Sequence, residues 1–142
     1  YDTSLMTASS GIEKSRYLGE PDLRGHLVES AVGARLLARA SEEGLGVYWW
    51  REGIKEVDFV VSKGFDSLSA IEVKSGTNAH LRSLQVFMDN SDIDIAIRIW
   101  SNPYSVNLVR TPKGKEFRLI NLPFYLIGNL HQVLDEVIRD FR

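Results

Sequence analysis

Two short, largely apolar runs lie near the middle of the chain, at residues 57–61 and 68–73, and each contains isolated polar residues. Apolar runs of this length with turn residues beside them are typical of β-strands, and the Gly-containing segment 62–67 lies between the two. The pattern therefore predicts two antiparallel strands joined by a turn.

Side chains alternate across a strand, so this pairing predicts that Asp58, Glu72 and Lys74 share one face. The opposite face is predicted to line the hydrophobic core, and its residues are Val57, Phe59, Val61, Ile71 and Val73. Two carboxylates beside one lysine are suited to holding a divalent metal ion and a reacting water. They are equally consistent with an ordinary solvated sheet face, and the alternation leaves both interpretations open.

A helix is predicted from Pro21 to about Ala40, with proline in its first turn and apolar residues over a broad part of its surface. A helix of this kind is expected to pack on several sides. Glu29 interrupts the apolar surface. In one interpretation it pairs with Arg24 or Arg35 or reaches water, and in the other it projects toward the charged sheet face as a third acid.

The remaining pattern completes an α/β fold. Further strands are predicted at residues 47–50, 93–100, 106–110 and 117–120, and further helices at residues 79–88 and from Pro123 toward Arg139. The order of helix, three strands, helix, one or more strands and helix predicts one dominant sheet.

Composition limits the possible functions. The chain has 142 residues, 44% hydrophobic and 25% charged, which predicts a single domain over residues 1–142. The absence of cysteine excludes disulfides and thiolate metal sites, and it is typical of a cytoplasmic protein. No apolar run reaches the roughly 18 residues of a membrane span. The first residue is Tyr1 rather than Met, which suggests a fragment of a longer chain.

The formal net charge of -2 argues against nucleic-acid binding through bulk charge, so any such contact requires a local basic patch. The candidates for this patch are Arg82, Arg98, Arg110, Lys113, Lys115 and Arg118.

Common catalytic motifs are missing from the sequence. The three histidines, at positions 26, 80 and 131, are far apart and lie in no H-E-x-x-H motif. There is no phosphate-binding G-x-x-x-x-G-K-[ST] loop and no G-x-S-x-G nucleophile motif. A histidine zinc site, nucleotide triphosphate hydrolysis and serine or cysteine nucleophiles are therefore disfavoured.

Several motifs, in order along the chain, carry a family resemblance. Glu29 in a first helix, Asp58 in a strand, and Glu72-Val73-Lys74 in the next strand, followed by a helix, resemble the PD-(D/E)XK nuclease superfamily. This resemblance implies a restriction-endonuclease-like core, α-β-β-β-α-β, with a central mixed sheet flanked by helices. Val57 is a departure, because it stands where the proline of the superfamily's name would lie.

A closer resemblance covers most of the chain. Residues 1–5, 27–32, 50–52, 56–60 and 71–75 are similar to a domain of unknown function that lies C-terminal to the ATPase core in many prokaryotic AAA-type ATPases. The resemblance implies that the ATPase domain of the same chain is a partner.

The resemblance also implies roles for individual residues. Asp58 and Glu72, with the Val73 carbonyl as an extra ligand, would bind Mg²⁺ or Mn²⁺. Lys74 would orient or polarise the attacking water, and Glu29 would complete the site as an additional acid. The implied function is Mg²⁺-dependent hydrolysis of DNA phosphodiesters; the alternative is an inactive binding or regulatory module that docks the ATPase core or nucleic acid. Gln85 falls on the following helix, near where some superfamily members carry a glutamine.

Overall fold

The computed structural model describes residues 10–63, 67–74 and 80–140. The helices are α1 (Lys14–Gly19), α2 (Pro21–Glu43), α3 (Arg82–Asp89) and α4 (Leu130–Asp140), and a 3₁₀ helix (Phe124–Asn129) precedes α4. The strands are β1 (Leu45–Glu52), β2 (Lys55–Lys63), β3 (Ser67–Val73), β4 (Ile95–Trp100), β5 (Ser105–Arg110) and β6 (Glu116–Pro123).

The six strands of the described region form one mixed sheet in the order β1-β2-β3-β4-β6-β5. The pairs β3·β4 and β4·β6 are parallel, and the other pairs are antiparallel. The expected α/β fold with a central mixed sheet flanked by helices is therefore confirmed. From α2 to β4 the elements follow the order α-β-β-β-α-β.

Helices cover both faces of this sheet. One hydrophobic core joins the sheet to α2 and α4 and includes Leu36, Ile71 and Leu134. The other joins it to α3 and includes Ala70, Leu84 and Met88. The sequence left open that the sheet face carrying Glu72 is an ordinary solvated surface. This interpretation is wrong, because α3 packs on that face.

A β-bulge interrupts the pairing of β1 with β2. Tyr48 lies opposite Val60, whereas Trp50 lies opposite Val57, so the same interval contains one more residue on β2 than on β1. The extra residue falls in the segment that carries Asp58. A bulge of this kind bends its strand and re-aims the side chains within it.

The bulge corrects the predicted face of Val57. Phe59 and Val61 pack in the core with α2 and α4, as expected, but Val57 packs with Val60 in the core under α3. The prediction that these three residues share a face is wrong for Val57, because the extra residue inverts the alternation at that point.

Two predicted helix boundaries also need correction. Pro123 does not open the C-terminal helix, because it is the last residue of β6 and pairs with Trp100 of β4. The helix α3 begins at Arg82, with Leu81 at its N-cap, rather than at residue 79, which lies outside the described residues. No helix in the described part of the chain is long and apolar enough to cross a membrane.

Candidate functional site

Asp58 lies where the pairing of β2 with β3 ends. The last backbone pair of this ladder is Phe59 with Ile71. Beyond it, the Val73 backbone N–H donates a hydrogen bond of 2.6 Å to Asp58 Oδ2. The Asp58 carboxylate thus accepts a hydrogen bond from a part of β3 that no longer pairs with β2. This bond fixes the orientation of the carboxylate.

Glu72 is the buried acid of the site, with only 3% of the residue exposed. Its Oε1 forms an ion pair with Lys74 Nζ, while its Oε2 is buried without a hydrogen-bond partner among the described residues. The Lys74 side chain is 32% exposed, so its ammonium lies between the buried carboxylate and solvent. The Lys74 backbone N–H donates to the Ile99 carbonyl at 2.8 Å and holds this end of β3 against β4.

Burial makes both carboxylates costly to ionise. The pKa of Asp58 is raised to about 7, mainly by burial and then by the negative charge of Glu72, while the hydrogen bond from Val73 opposes the rise. Burial likewise raises the pKa of Glu72, and the Lys74 ammonium opposes this rise. Near neutral pH, ionisation of these carboxylates therefore costs free energy in the folded protein, and a bound cation would reduce this cost.

Glu29 reaches the same site from α2. Its negative charge adds to the raised pKa of both Asp58 and Glu72, although Glu56 contributes more than Glu29 to that of Glu72. Glu29 thus lies within electrostatic range of the two acids, whereas Glu72 and Lys74 are in direct contact. The Glu29 side chain is 39% exposed, and its Oε2 lies 3.5 Å from His26 Nδ1. The sequence did not suggest histidine as its partner.

The donor set for a metal ion is a pair of carboxylates. Among residues 10–63, 67–74 and 80–140, no group of three or more His, Asp or Glu side chains is arranged to hold an ion. Asp58 and Glu72 are the hard oxygen donors that Mg²⁺ prefers, and Mg²⁺ commonly uses one or two carboxylates and keeps several waters. The partnerless Glu72 Oε2 fits such a ligand. The Val73 carbonyl remains a predicted ligand.

A second polar group, Arg98 with Asn121, lies beside the acids. The sequence predicted Arg98 only as a candidate for the basic patch and did not single out Asn121. Arg98 of β4 is the register partner of Glu72 on one side and of Asn121 on the other. Its Nε donates to Asn121 Oδ1 at 2.8 Å, and both residues are buried. The sequence signal for this pair is one polar residue within each of two apolar strands, which identifies no chemistry by itself.

Most of the predicted basic patch has local partners. Arg110 pairs with Glu116 at 2.6 Å, and Lys113 Nζ donates to Asn90 Oδ1 at 3.0 Å. Lys115 Nζ donates to the Ser91 carbonyl at 2.5 Å and the Ile93 carbonyl at 2.8 Å. Lys113 and Lys115 hold the β5–β6 hairpin against the segment that follows α3, whereas the Arg110–Glu116 pair lies within the hairpin. Gln85 has a similar contact, since its Nε2 donates to the Arg110 carbonyl at 3.2 Å.

A comparison with protein families matches residues 24–125 to a domain of unknown function, DUF4143. A search of curated proteins found no match. The matched segment begins in α2 and ends in the 3₁₀ helix, so it contains Glu29, Asp58, Glu72 and Lys74. Because the match covers well over half of the 142 residues, the chain belongs to the DUF4143 family.

Proposed function

We propose that this domain is a divalent-cation-dependent nuclease that hydrolyses DNA phosphodiesters at a centre formed by Asp58, Glu72 and Lys74. The observation that carries the proposal is a buried carboxylate, Glu72, with one oxygen paired to Lys74 and the other without a partner in the described region. A second carboxylate, Asp58, lies close enough for the charge of Glu72 to raise its pKa.

A divalent cation suits this pair because both carboxylates resist ionisation in its absence. Asp58 and Glu72 would hold the ion, with the Val73 carbonyl as the further ligand that the superfamily resemblance implies. A bound ion of this type supplies Lewis acidity toward a phosphoryl oxygen and activates water. The element order α-β-β-β-α-β from α2 to β4 also supports this proposal.

The protein's own side chains have separate tasks in this mechanism. The hydrogen bond from Val73 holds the Asp58 carboxylate in one orientation, which reduces the entropic cost of positioning it for the reaction. Lys74, held by Glu72 at the border with solvent, orients the attacking water and offsets the negative charge that builds on the phosphate. Glu29, at the more exposed side, acts as the additional acid.

Cleavage of plasmid and linear DNA with Mg²⁺ or Mn²⁺ tests the proposal. We expect metal-dependent cleavage by the wild type and a loss of about 100-fold or more in Asp58→Asn and Lys74→Ala. Asp94→Asn is the matched control, because this aspartate is 78% exposed and pairs with Lys115 away from the site. Absence of cleavage, or equal rates in all four proteins, would contradict the proposal.

The exposed apolar residues of the β1–β2 hairpin favour a second candidate function, that of a docking module. Trp49 and Ile54 are 76% and 97% exposed, and Tyr48 is 58% exposed. Large apolar side chains that are exposed to solvent can mark protein interfaces. On this account, Trp49→Ser and Ile54→Ser abolish co-purification with the predicted ATPase portion, whereas Glu72→Gln does not. The opposite pattern would reject the docking function.

A further inference from the structure

A cavity lies on the face of the sheet that α2 and α4 cover. Its volume is about 250 Å³, and its walls come from α2, β1, β2, the 3₁₀ helix and α4. Three buried side chains of the hydrophobic core, Leu36, Val61 and Leu134, line its apolar floor. An apolar cavity of roughly 150 Å³ can bind benzene. The larger cavity in this protein therefore has room for a compact molecule of one or two rings.

At one end of the cavity the charged side chains are paired with each other. Arg39 forms ion pairs with Glu42 and Glu43, and Lys63 Nζ donates to Asp135 Oδ1 at 2.8 Å. The hydrogen bond from Lys63 lowers the pKa of Asp135, and the positive charge of Arg39 contributes to the same effect. Each acid at this end therefore already has a cation of the protein as its partner.

Arg35 lines the other end of the cavity and is differently placed. It precedes Glu42 by about 10 Å along α2. Its Nη2 donates to the carbonyl of Gly128 at 3.1 Å, and no carboxylate among the described residues forms an ion pair with it. A neutral carbonyl satisfies one donor but leaves the positive charge uncompensated. Because Arg35 is exposed to solvent, an anion in the opening of the cavity can approach it without crossing the core.

We propose that this cavity binds a small aromatic carboxylate, with its rings on the apolar floor and its carboxylate against Arg35. Burial of the rings supplies most of the favourable free energy, and a rigid ring system loses little conformational entropy on binding. The planar guanidinium matches the two oxygens of a carboxylate, which selects an anion over a neutral ligand of the same shape. Binding here does not depend on the proposed nuclease function, since Asp58, Glu72 and Lys74 do not line the cavity.

Two ligands of nearly the same shape test the proposal, because 2-naphthoate is charged and 2-naphthamide is neutral. Titrations followed by NMR of the ligand give both dissociation constants. The wild type should bind both, and 2-naphthoate more tightly. We expect Arg35→Gln to weaken 2-naphthoate about fivefold to tenfold and 2-naphthamide less than about twofold, because glutamine keeps an amide donor for Gly128 but not the charge. Arg110→Gln is the control, since Arg110 is exposed and paired with Glu116 within the β5–β6 hairpin.

A second variant tests the position of the ligand rather than its charge. Ala38 lines the cavity and is exposed, so Ala38→Phe adds bulk there without overpacking the core. It should weaken both ligands about tenfold, and thermal denaturation checks that each variant is folded. The proposal is wrong if 2-naphthoate does not saturate the wild type or if Ala38→Phe binds both ligands as the wild type does. It is also wrong if Arg35→Gln changes the two dissociation constants by the same factor.

Discussion

Asp58 and Glu72 are two acids whose surroundings work against their charge. Each is desolvated, and each lies in the field of other carboxylates. Lys74 forms an ion pair with Glu72, and its positive charge also acts on Asp58. The arrangement costs stability in the free protein, and such costs are common at functional sites.

Asp58→Asn should stabilise the metal-free protein at pH 8. The folded-state pKa of Asp58, about 7, lies above the ordinary value of 3.8, so the charged form penalises folding as pH rises between these values. We expect a gain of roughly 2–4 kcal/mol in unfolding free energy at pH 8, which shrinks as pH falls toward 4. Urea denaturation of both proteins across this range measures it. A gain that does not depend on pH would show that the charge of Asp58 is not its cause.

Lys74→Met should destabilise the protein at pH 8 by about 2 kcal/mol, because Glu72 then remains buried without its cation. The loss should diminish as the pH is lowered, because the raised pKa of Glu72 favours protonation, which removes the unpaired charge. Lys63→Met is the control, since Lys63 and Asp135 are 39% and 42% exposed and their pair is expected to contribute less than about 1 kcal/mol. Equal losses in the two variants, measured by urea denaturation, would contradict the buried-pair account.

Residue patterns in the sequence predicted the acids but not their neighbours. Asp58, Glu72 and Lys74 could be grouped because alternation along short strands is visible in the sequence. Arg98 and Asn121 could not be placed beside them, because their proximity depends on the parallel pairing of β3, β4 and β6. Such pairing joins residues far apart in sequence, and a single sequence contains no record of its register.

At the scale of elements, the bulge in β2 and its contact with α2 determine where Asp58 lies. Gly33 of α2 lies close to Phe59, the residue that follows Asp58 in β2. A Cβ at position 33 would lie 3.2 Å from the Phe59 ring. The helix that carries Glu29 and the strand that carries Asp58 therefore meet through a glycine. A glycine inside a helix costs about 1 kcal/mol of stability relative to alanine. The close contact with Phe59 explains why a glycine lies at this position.

Substitutions at Gly33 should show a graded effect. In Gly33→Ala the gain in helix propensity and the crowding of Phe59 oppose each other, so the change in stability should stay within about 1 kcal/mol. Gly33→Leu should cost about 2–3 kcal/mol and weaken Mn²⁺ binding, because Phe59 must move and Asp58 is next to it. Denaturation and calorimetry measure the two effects. A Leu variant as stable as wild type would mean that α2 does not rest on β2 at this point.

The sequence predicted most elements but not their irregularities. Strands β2, β3 and β4 and helix α2 follow from apolar periodicity, as expected. The bulge is invisible in the sequence because it arises from the shift between β1 and β2. Similarly, Pro123 is a plausible first residue of a helix, but pairing with β4 makes it the end of a strand.

At the scale of the whole molecule, one sheet separates two cores, and the candidate site lies where α2, β2 and β3 meet. Helix α4 packs in the core with α2, and its Leu134 is buried there, whereas α3 covers the face that carries Ala70. The family match includes the site but assigns no activity. The ATPase partner, the cytoplasmic location and the single-domain extent over residues 1–142 remain predictions.

A substitution in the core at a distance from the site should therefore lower the unfolding free energy without weakening metal binding. Leu134→Ala removes a buried side chain from α4 and should lower the unfolding free energy by about 2–5 kcal/mol. Well below its unfolding temperature, however, it should bind Mn²⁺ as tightly as the wild type, because α4 supplies none of the four site residues. A large loss of Mn²⁺ affinity in the folded variant would show that the site is not confined to α2, β2 and β3.

The central claim is that Asp58 and Glu72 hold a divalent cation, and a calorimetric titration with Mn²⁺ at pH 8 tests it most directly. This pH lies above the Asp58 pKa of about 7, so the carboxylate is charged. The account predicts saturable binding to the wild type and to Asp94→Asn, and its loss in Asp58→Asn and Glu72→Gln. No saturable heat in the wild type, or equal binding in all four proteins, would contradict it.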